Sequence, residues 1–509
     1  MVISLLSSVS SIRRALLSSR PQNLLLPART NIGARPSPSF SSRTLTIKSF
    51  NKTLYTPLAE YDPEMQKIID DEAYRQFSGL ELIACENLTS LAVMQANGSI
   101  LTNKYPEGLP GARYNGEHAD KLQTLCQQRA LKAFRLDPKV WGVNVQPYSG
   151  STANFAAYTA LIEPQDRIMG LSVSDGGHLT HGHYSAQHKI SASSIYFQSF
   201  PYRLNPESKL IDYDYLEQTA QVYKPKIIIS GASAYPRDWD YKRLRKIADA
   251  HGAFLMMDMA HISGLIAGQV HNDPFEECDV VTTTTHKTLR GPRAGLIFFR
   301  KDKDETMEDR INKAVFPGCQ GGPHSHTIGA IAVALKQVAE PSFREYAQAV
   351  IENCKALAAR LVELGYTLQT GGSDNHLVIW DLRPLGITGC KVEKICDLCH
   401  ITINKTAVSG DNPAQAPGGV RLGTSALTSR SMGPQEMVEV ANFMHRVVQI
   451  SLILQQEAGS TQLKDFLLPA TQGDGHGRQL LKQLHHDVAL FSQKFGLPGV
   501  DVNQIKSPV

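Results

Sequence analysis

The sequence predicts an α/β protein: a large domain built on a mostly parallel β-sheet, followed by a smaller α+β C-terminal domain. Between residues 141 and 300, short apolar runs alternate with stretches of helical periodicity, as expected for a sheet covered by helices on both faces. After Gly322 this alternation gives way to longer helical patterns with few strands. A chain of 509 residues is long enough for two or three domains.

The elements follow in order along the chain. Helical periodicity begins at residues 62–77 and returns at 119–134. Apolar runs predict strands at residues 141–146, 167–173, 226–232, 253–260, 279–285 and 295–300, with helices at 213–223 and 241–251. The C-terminal part predicts a helix at 326–340 interrupted by Pro341, strands at 377–383 and 401–405, and a last helix after a Gly-rich loop at 471–477.

The N-terminus predicts a targeting peptide. Residues 1–59 carry eight basic side chains and no acidic one, and are rich in serine. This composition indicates a mitochondrial presequence and delivery to the mitochondrial matrix, with a plastid transit peptide and the plastid stroma as the alternative. The predicted organisation is a disordered targeting peptide at 1–50, an N-terminal arm at 51–80, the large domain at 81–330 and the small domain at 331–509.

Composition excludes several classes of protein. No apolar run is judged long enough to span a membrane, so we expect no transmembrane helix and no membrane partner. Without its eight N-terminal basic charges the net charge of +4 becomes −4, so no nucleic-acid partner is expected. The eight cysteines are scattered, which does not suggest a disulfide framework. Cys396 and Cys399 with His400 match a haem c pattern, but their helical spacing predicts core residues.

Lys287 is the strongest candidate for chemistry. It follows the predicted strand at 279–285, and an ammonium at the end of an apolar strand is costly to bury as a charge. A neutral amine or an imine is cheap to bury there, so the position suits Schiff-base chemistry. The alternative is an ordinary surface lysine.

Other polar residues follow neighbouring strands. Asp258 closes the strand FLMMD (254–258) within the apolar run at 253–260, where its carboxylate needs a cationic or hydrogen-bonding partner, or caps the next helix. His261 and His286 lie just beyond two strand ends, beside Asp258 and Lys287. Two histidines, a lysine and a carboxylate at neighbouring strand ends predict a site.

Two further segments suit a cofactor. Ser149, Gly150 and Ser151 precede an apolar helical stretch, where hydroxyls and free amides form an anion cradle or an ordinary N-cap. His178 belongs to a cluster with His181 and His183. Metal binding is disfavoured because no acid or thiol at ligand spacing accompanies them, so no metal is expected. The alternative is an imidazole stacked on an aromatic cofactor.

Two loops carry candidates for substrate chemistry. Tyr105 and Glu107 lie in a Gly/Pro-rich loop. A carboxyl group beside tyrosines in such a loop is either an acid–base group with an adjusted pKa or an ordinary solvated loop residue. Arg421 ends a short predicted strand, where it binds a carboxylate in a bidentate manner or forms a surface salt bridge.

Together these segments resemble serine hydroxymethyltransferase, a family of pyridoxal-phosphate enzymes with the aspartate-aminotransferase fold (fold type I). The resemblance covers roughly residues 61–448. Its segments are LELIACEN (80–87), LTNKYPEGLPGARY (101–114), GGHLTHG (176–182), MMDMAHISGLIA (256–267), TTTTHKTLRGPRAG (282–295) and RLGTSALTSR (421–430).

The resemblance implies a role for each residue. Lys287 holds pyridoxal 5'-phosphate covalently, and Asp258 pairs with the pyridine nitrogen. The resemblance places the other cofactor contacts as follows: His178 on the ring; His261 and Ser233 near the phenolic oxygen; Ser149, Gly150, Ser151, His286 and Gly318 of a partner subunit at the phosphate. Arg421 binds the amino-acid carboxylate, with Cys85 and Tyr114 beside it. Tyr105 and Glu107 come from the neighbouring subunit, with Glu107 as proton-transfer group.

The implied reaction converts serine and tetrahydrofolate to glycine and 5,10-methylenetetrahydrofolate. It implies a homodimer with shared active sites that pairs into a homotetramer. The chain departs from the family pattern at Cys85, Asn115, Thr406 and Ser425, where the family has serine, tyrosine, asparagine and proline. Two hypotheses remain: an active hydroxymethyltransferase, or a divergent relative. The divergent relative is a folate-independent β-hydroxy amino-acid aldolase or a poorly active structural subunit.

Overall fold

The computed structural model describes residues 52–113, 116–411, 416–505 and 507. Its strands are β1 (Leu80–Glu81), β2 (Trp141–Asn144), β3 (Arg167–Met169), β4 (Gln198–Ser199), β5 (Ile227–Ser230), β6 (Phe254–Asp258), β7 (Val280–Thr284), β8 (Gly295–Arg300), β9 (Thr367–Leu368), β10 (Leu377–Asp381), β11 (Ile401–Thr402), β12 (Asn404–Thr406) and β13 (Gly419–Gly423).

The α-helices cover the sheets and connect their strands. They are α1 (Leu58–Tyr61), α2 (Pro63–Ser78), α3 (Leu91–Asn97), α4 (Glu117–Ala133), α5 (Gly150–Leu161), α6 (Ala192–Tyr196), α7 (Tyr213–Tyr223), α8 (Tyr241–Ala250), α9 (Ser263–Ala267), α10 (Met307–Lys313), α11 (Ser325–Val338), α12 (Pro341–Glu363), α13 (Gly389–Leu398), α14 (Ser425–Ser429), α15 (Pro434–Ala458), α16 (Leu463–Thr471) and α17 (His476–Ser492).

The main sheet has seven strands in the order β2-β8-β7-β6-β5-β3-β4. The strands from β7 to β4 are parallel to their neighbours, whereas β8 runs antiparallel to both β2 and β7. The predicted fold class, a mostly parallel α/β sheet, is therefore confirmed. All six predicted strands of this sheet are present, and the short edge strand β4 was not predicted.

Alternate residues of each central strand face opposite sides of the sheet. Ile227 and Met256 pack into one core with α5 and α10, while Ile228 and Leu255 pack into the other with α7, α8 and α11. Because both sides are buried, these strands are apolar throughout, which is why they were visible as continuous apolar runs.

A second, four-stranded antiparallel sheet follows in the order β12-β13-β10-β9. The short strands β1 and β11 pair in parallel beside it. Its core contains Trp380 and side chains of α12, α13, α15 and α17. Cys396 and Cys399 are buried in this core and free, as their spacing predicted. Pro341 does not interrupt a helix but begins α12, where its missing N–H costs no hydrogen bond.

Helix α15 corrects one expectation about apolar runs. This 25-residue helix is long and apolar enough to cross a membrane, although no apolar run of that length was expected. However, 56% of its apolar stretch is buried inside the protein, and it packs against α12 and α17. The helix therefore has the character of a core helix.

The chain divides into two units, Met1–Gln66 and Lys67–Val509. In the described part of the first unit, most side chains of residues 52–66 are exposed. Both sheets belong to the second unit.

Candidate active site at the carboxyl ends of the strands

A pocket of about 380 Å³ lies where the parallel strands of the main sheet end. This is the edge at which ligands bind in open α/β sheets. Its lining comes from strand ends, from the start of α5 and from β13: Cys85, Ser149, Gly150, Ser151, His178, His181, Ala232, Ser233, Asp258, Ala260, His261, Thr284, His286, Lys287, Arg293 and Arg421. Eleven of the sequence-predicted site residues thus share one pocket.

Lys287 is buried just after β7. Its side chain is 9% exposed, and Nζ donates to Thr284 Oγ1 at 3.2 Å. Burial lowers the pKa of Lys287, while the negative charge of Asp258 opposes that shift. The geometry contradicts the surface-lysine alternative and favours an amine that gives up its proton readily, as imine formation requires.

Asp258 ends β6, and both oxygens of its carboxylate accept hydrogen bonds. Oδ2 accepts from Asn154 Nδ2 at 2.8 Å and from His181 Nε2 at 3.1 Å. Oδ1 accepts from the Ala260 amide at 3.1 Å. Burial alone would raise the pKa of Asp258, but the hydrogen bond and charge of His181 hold it below its ordinary value. The carboxylate therefore stays ionised, and it caps no helix, because α9 begins after Ile262.

Two histidines of the cluster have different partners: His178 contacts Thr180, and His181 contacts Asp258. His178 Nδ1 lies 2.7 Å from Thr180 Oγ1, and burial lowers the pKa of His178 to about 4. His181 bonds Asp258. In space, although not at ligand spacing in the sequence, an acid does accompany the cluster, since ligand atoms of His178, His181 and Asp258 lie within 4.8 Å of one another. The contact of Asp258 with this cluster was not predicted, because Asp258 lies 77 residues from His181 in sequence.

An anion cradle lies at the start of α5. Ser149 is its N-cap and accepts from the Thr152 amide at 3.3 Å. A Cβ at Gly150 would come within 2.6 Å of the Thr284 side chain, so only glycine fits. Burial lowers the pKa of His286 to about 3, and its buried Nδ1 has no hydrogen-bond partner among the described residues. The helix start and the nearby Arg293 suit a phosphate group.

Arg421 extends from β13 to the pocket. Nη1 donates to the Ser233 carbonyl at 2.7 Å, and Nη2 donates to Asn404 Oδ1 at 2.8 Å. Nη2 also lies 3.6 Å from Cys85 Sγ. These partners are neutral, which contradicts the salt-bridge alternative and leaves the guanidinium charge for a carboxylate ligand.

Some predicted residues lie elsewhere. Tyr105 is 74% exposed, and Tyr105, Glu107 and Gly318 are not among the residues that line the pocket. Tyr105 and Glu107 instead lie beside Gly321 and Gly322. Tyr114 and Asn115 fall outside the described residues.

Sequence reasoning missed several supporting residues. Asn154 binds Asp258 and accepts from Thr282 Oγ1 at 2.6 Å. His376 lies 3.3 Å from His261, and Asn404 binds Arg421. The position of Asn154, one turn after the predicted cradle, was a usable signal. For His376 no local pattern pointed to the site.

A buried lysine, a paired carboxylate one strand away and a phosphate cradle at a helix start fit pyridoxal phosphate in charge and chemistry. Fold and site together define a fold type I pyridoxal-phosphate enzyme. The family model "Serine hydroxymethyltransferase" matches residues 58–444, and the chain belongs to the serine hydroxymethyltransferase family. Members use pyridoxal phosphate as cofactor and tetrahydrofolate as cosubstrate.

Relatives match over most of their length. Serine hydroxymethyltransferase 3, chloroplastic, of Arabidopsis thaliana is 53% identical, covering 94% of this chain and 90% of that protein. The cytosolic enzyme of Oryctolagus cuniculus is 53% identical, covering 89% and 96%. A serine hydroxymethyltransferase of Caenorhabditis elegans is also 53% identical, covering 90% and 96%.

Proposed function

We propose that this chain interconverts serine plus tetrahydrofolate and glycine plus 5,10-methylenetetrahydrofolate in the pocket around Lys287. Family membership gives the reaction. The observation that carries its assignment to this pocket is that one lining holds both the buried Lys287 amine and the ionised carboxylate of Asp258. When bound, pyridoxal phosphate supplies an electron sink for the bond that breaks.

The residues of this chain would hold the cofactor from several sides. Lys287 would carry the cofactor covalently, while Asp258 would accept a hydrogen bond from the protonated pyridine nitrogen and keep that nitrogen cationic. The free amides at the start of α5 and the His286 ring would bind the phosphate. The imidazole of His178 is neutral at physiological pH, because its pKa is about 4, so it would face an aromatic ring without adding charge.

Arg421 would bind the substrate carboxylate. Its partners orient the guanidinium without neutralising it: the Ser233 carbonyl, Asn404 and Cys85. A thiol donates a weaker hydrogen bond than the hydroxyl that the family has at position 85. The same substitution motivates the second hypothesis, a relative that cleaves β-hydroxy amino acids without folate.

Tyr105 and Glu107 would complete the site of a second copy. In this chain they are exposed and outside the Lys287 pocket. They cluster with Tyr148, whose pKa is raised by burial and by the nearby Tyr105 and Glu107. We place Glu107 as the proton-transfer group of the partner's pocket, in a homodimer that pairs into a homotetramer.

The N-terminus would direct the chain to an organelle. Residues 1–57 precede the family match, are basic and free of acids, and one relative is named chloroplastic. We favour the mitochondrial matrix over the plastid stroma. A fluorescent protein fused after residues 1–60 should accumulate in mitochondria; accumulation in plastids or cytosol would refute that choice.

The large and small domains predicted at 81–330 and 331–509 stay a proposal. It is supported by the seven-stranded sheet and the four-stranded sheet, each of which lies in one of these ranges. Hydrogen exchange should show that the two sheets open with different free energies, and a single common value would contradict the division.

The decisive experiment is turnover by the full chain supplied with pyridoxal phosphate, serine and tetrahydrofolate. We expect glycine and methylenetetrahydrofolate in equal amounts, and no product from the Lys287→Ala variant. Glycine release from a β-hydroxy amino acid without folate, and none with serine and folate, would establish the divergent function instead.

A further inference from the structure

A second buried histidine lies behind His261. His376 is fully buried just before β10. Its Nε2 lies 3.1 Å from the Ala84 carbonyl and 3.3 Å from His261 Nδ1. Its own Nδ1 is buried and has no hydrogen-bond partner among the described residues. The ring is therefore held through a single nitrogen.

These contacts fix where each ring carries its proton. The Ala84 carbonyl only accepts hydrogen bonds, so His376 Nε2 must be the N–H donor. In the opposite tautomer of His376, Nε2 would be an acceptor facing the Ala84 carbonyl, which is also an acceptor. The proton would then lie on the buried Nδ1, which has no partner among the described residues. Since Nε2–H of His376 points to both neighbours, His261 Nδ1 must accept, and the proton of His261 lies on its Nε2.

Both rings are neutral. Burial lowers the pKa of His376 to about 3, and the positive charge of Arg421 adds to the effect. Burial also lowers the pKa of His261 well below its ordinary value, helped by Lys287 and Arg421. A neutral pair has one proton per ring, so the tautomer argument holds over the physiological pH range.

We propose that His376 is a positioning residue: it holds His261 in the tautomer whose Nε2–H donates to the phenolic oxygen of bound pyridoxal phosphate. The inference rests on the proposed function, because it takes the cofactor to lie against His261. The same N–H of His376 binds the carbonyl of Ala84. Ala84 precedes Cys85, which contacts Arg421, so His376 also links His261 to the segment beside Arg421.

Three variants separate positioning from packing. His376→Leu removes the donor, His376→Gln places an amide N–H at the reach of Nε2, and His376→Asn places one only at the reach of Nδ1. His271→Leu is the matched control, because His271 is a buried histidine outside the pocket lining. The readouts are the visible absorption band of the bound cofactor, its affinity for the apoprotein, and kcat and KM.

We expect His376→Leu and His376→Asn to shift the visible band and to lower kcat tenfold or more with little change in KM for serine. His376→Gln should restore the band and bring kcat within threefold of the unmodified chain. His271→Leu should keep the band. An unchanged band in His376→Leu, or equal behaviour of the Gln and Asn variants, would overturn the proposal.

A direct measurement needs no variant. Nitrogen-15 NMR of histidine-labelled protein should show His261 protonated at Nε2 before the cofactor is added, and a proton at Nδ1 would overturn the inference. An inactive unmodified chain would count against the proposed function alone, because the NMR result is independent of turnover.

Discussion

At the scale of single residues, burial decides the chemistry of the site. The pKa of Lys287 is lowered because its ammonium leaves water, whereas Asp258 stays ionised because His181 and Asn154 bind it. These opposite charge states follow from the number of hydrogen bonds that stabilise each charged form: one donated by Lys287 and three accepted by Asp258.

Cys85→Ser should improve the enzyme. A serine hydroxyl would bond the Arg421 guanidinium and the substrate carboxylate more strongly than the thiol at 3.6 Å. We expect kcat/KM for serine to rise about fivefold, on the order of 1 kcal/mol. Steady-state kinetics with Cys390→Ser, a change outside the pocket, as control would check this. No gain from Cys85→Ser would show that the thiol does not weaken the site.

The site residues that could be predicted from the sequence are those at or just after the ends of strands. Lys287, Asp258 and His261 follow apolar runs, so their positions could be inferred from local pattern alone. The pairing of Asn154 with Asp258 and that of His376 with His261 could not, because these partners lie 104 and 115 residues apart. Their roles depend on which strands become neighbours, which no local pattern contains.

At the scale of elements, the strands buried on both faces were predicted well because their composition is uniform. Strands of two residues, such as β4 and β9, were missed. Short strands exist through the neighbours with which they pair rather than through their own propensity. Pro341 was misjudged for a related reason, since proline marks the start of α12 and not a break in α11.

Arg430 links two helix ends. The residue is 2% exposed. Its guanidinium donates seven hydrogen bonds. Six go to backbone carbonyls in the last turn of α2 or α17 or just after it, and one goes to the Ser492 hydroxyl. Burial lowers the pKa of Arg430 to about 10. These bonds satisfy carbonyls that helix ends leave unpaired.

Arg430→Met should therefore lower the free energy of unfolding by about 3 kcal/mol, since it orphans several buried carbonyls. Arg446→Met is the control: it removes a partly exposed ion pair with Asp487 at 2.7 Å, which should cost less than about 1 kcal/mol. Urea unfolding would measure both values. Equal losses would mean that the Arg430 network adds nothing beyond a surface pair.

At the scale of the whole molecule, the pocket of one chain holds the residues proposed for the cofactor except Gly318, and it holds neither Tyr105 nor Glu107. A site divided between two copies would explain why a proposed acid–base group is exposed. In such a dimer each chain would supply half of two identical sites.

Mixing two inactive variants tests this division. Lys287→Ala and Glu107→Gln chains should each be inactive, but unfolded and refolded together they should form hybrids with one intact site. An equal mixture should regain about a quarter of the unmodified activity, because half the dimers are hybrids with one of two sites restored. A mixture that stays inactive would place both residues in the same chain's site.

The side chains of β6 point alternately into two cores, and this has a consequence for the evolution of the chain. Insertion or deletion of one codon at the start of this strand would exchange the sheet faces of Leu255 and Met256, so that each would point into the wrong core. It would also turn the side chain of Asp258, the last residue of the strand, away from His181. Selection should therefore remove length changes from the strand and tolerate them in loops. Lineages of this protein should differ in the length of their connections and hardly ever in that of the strand that carries Asp258.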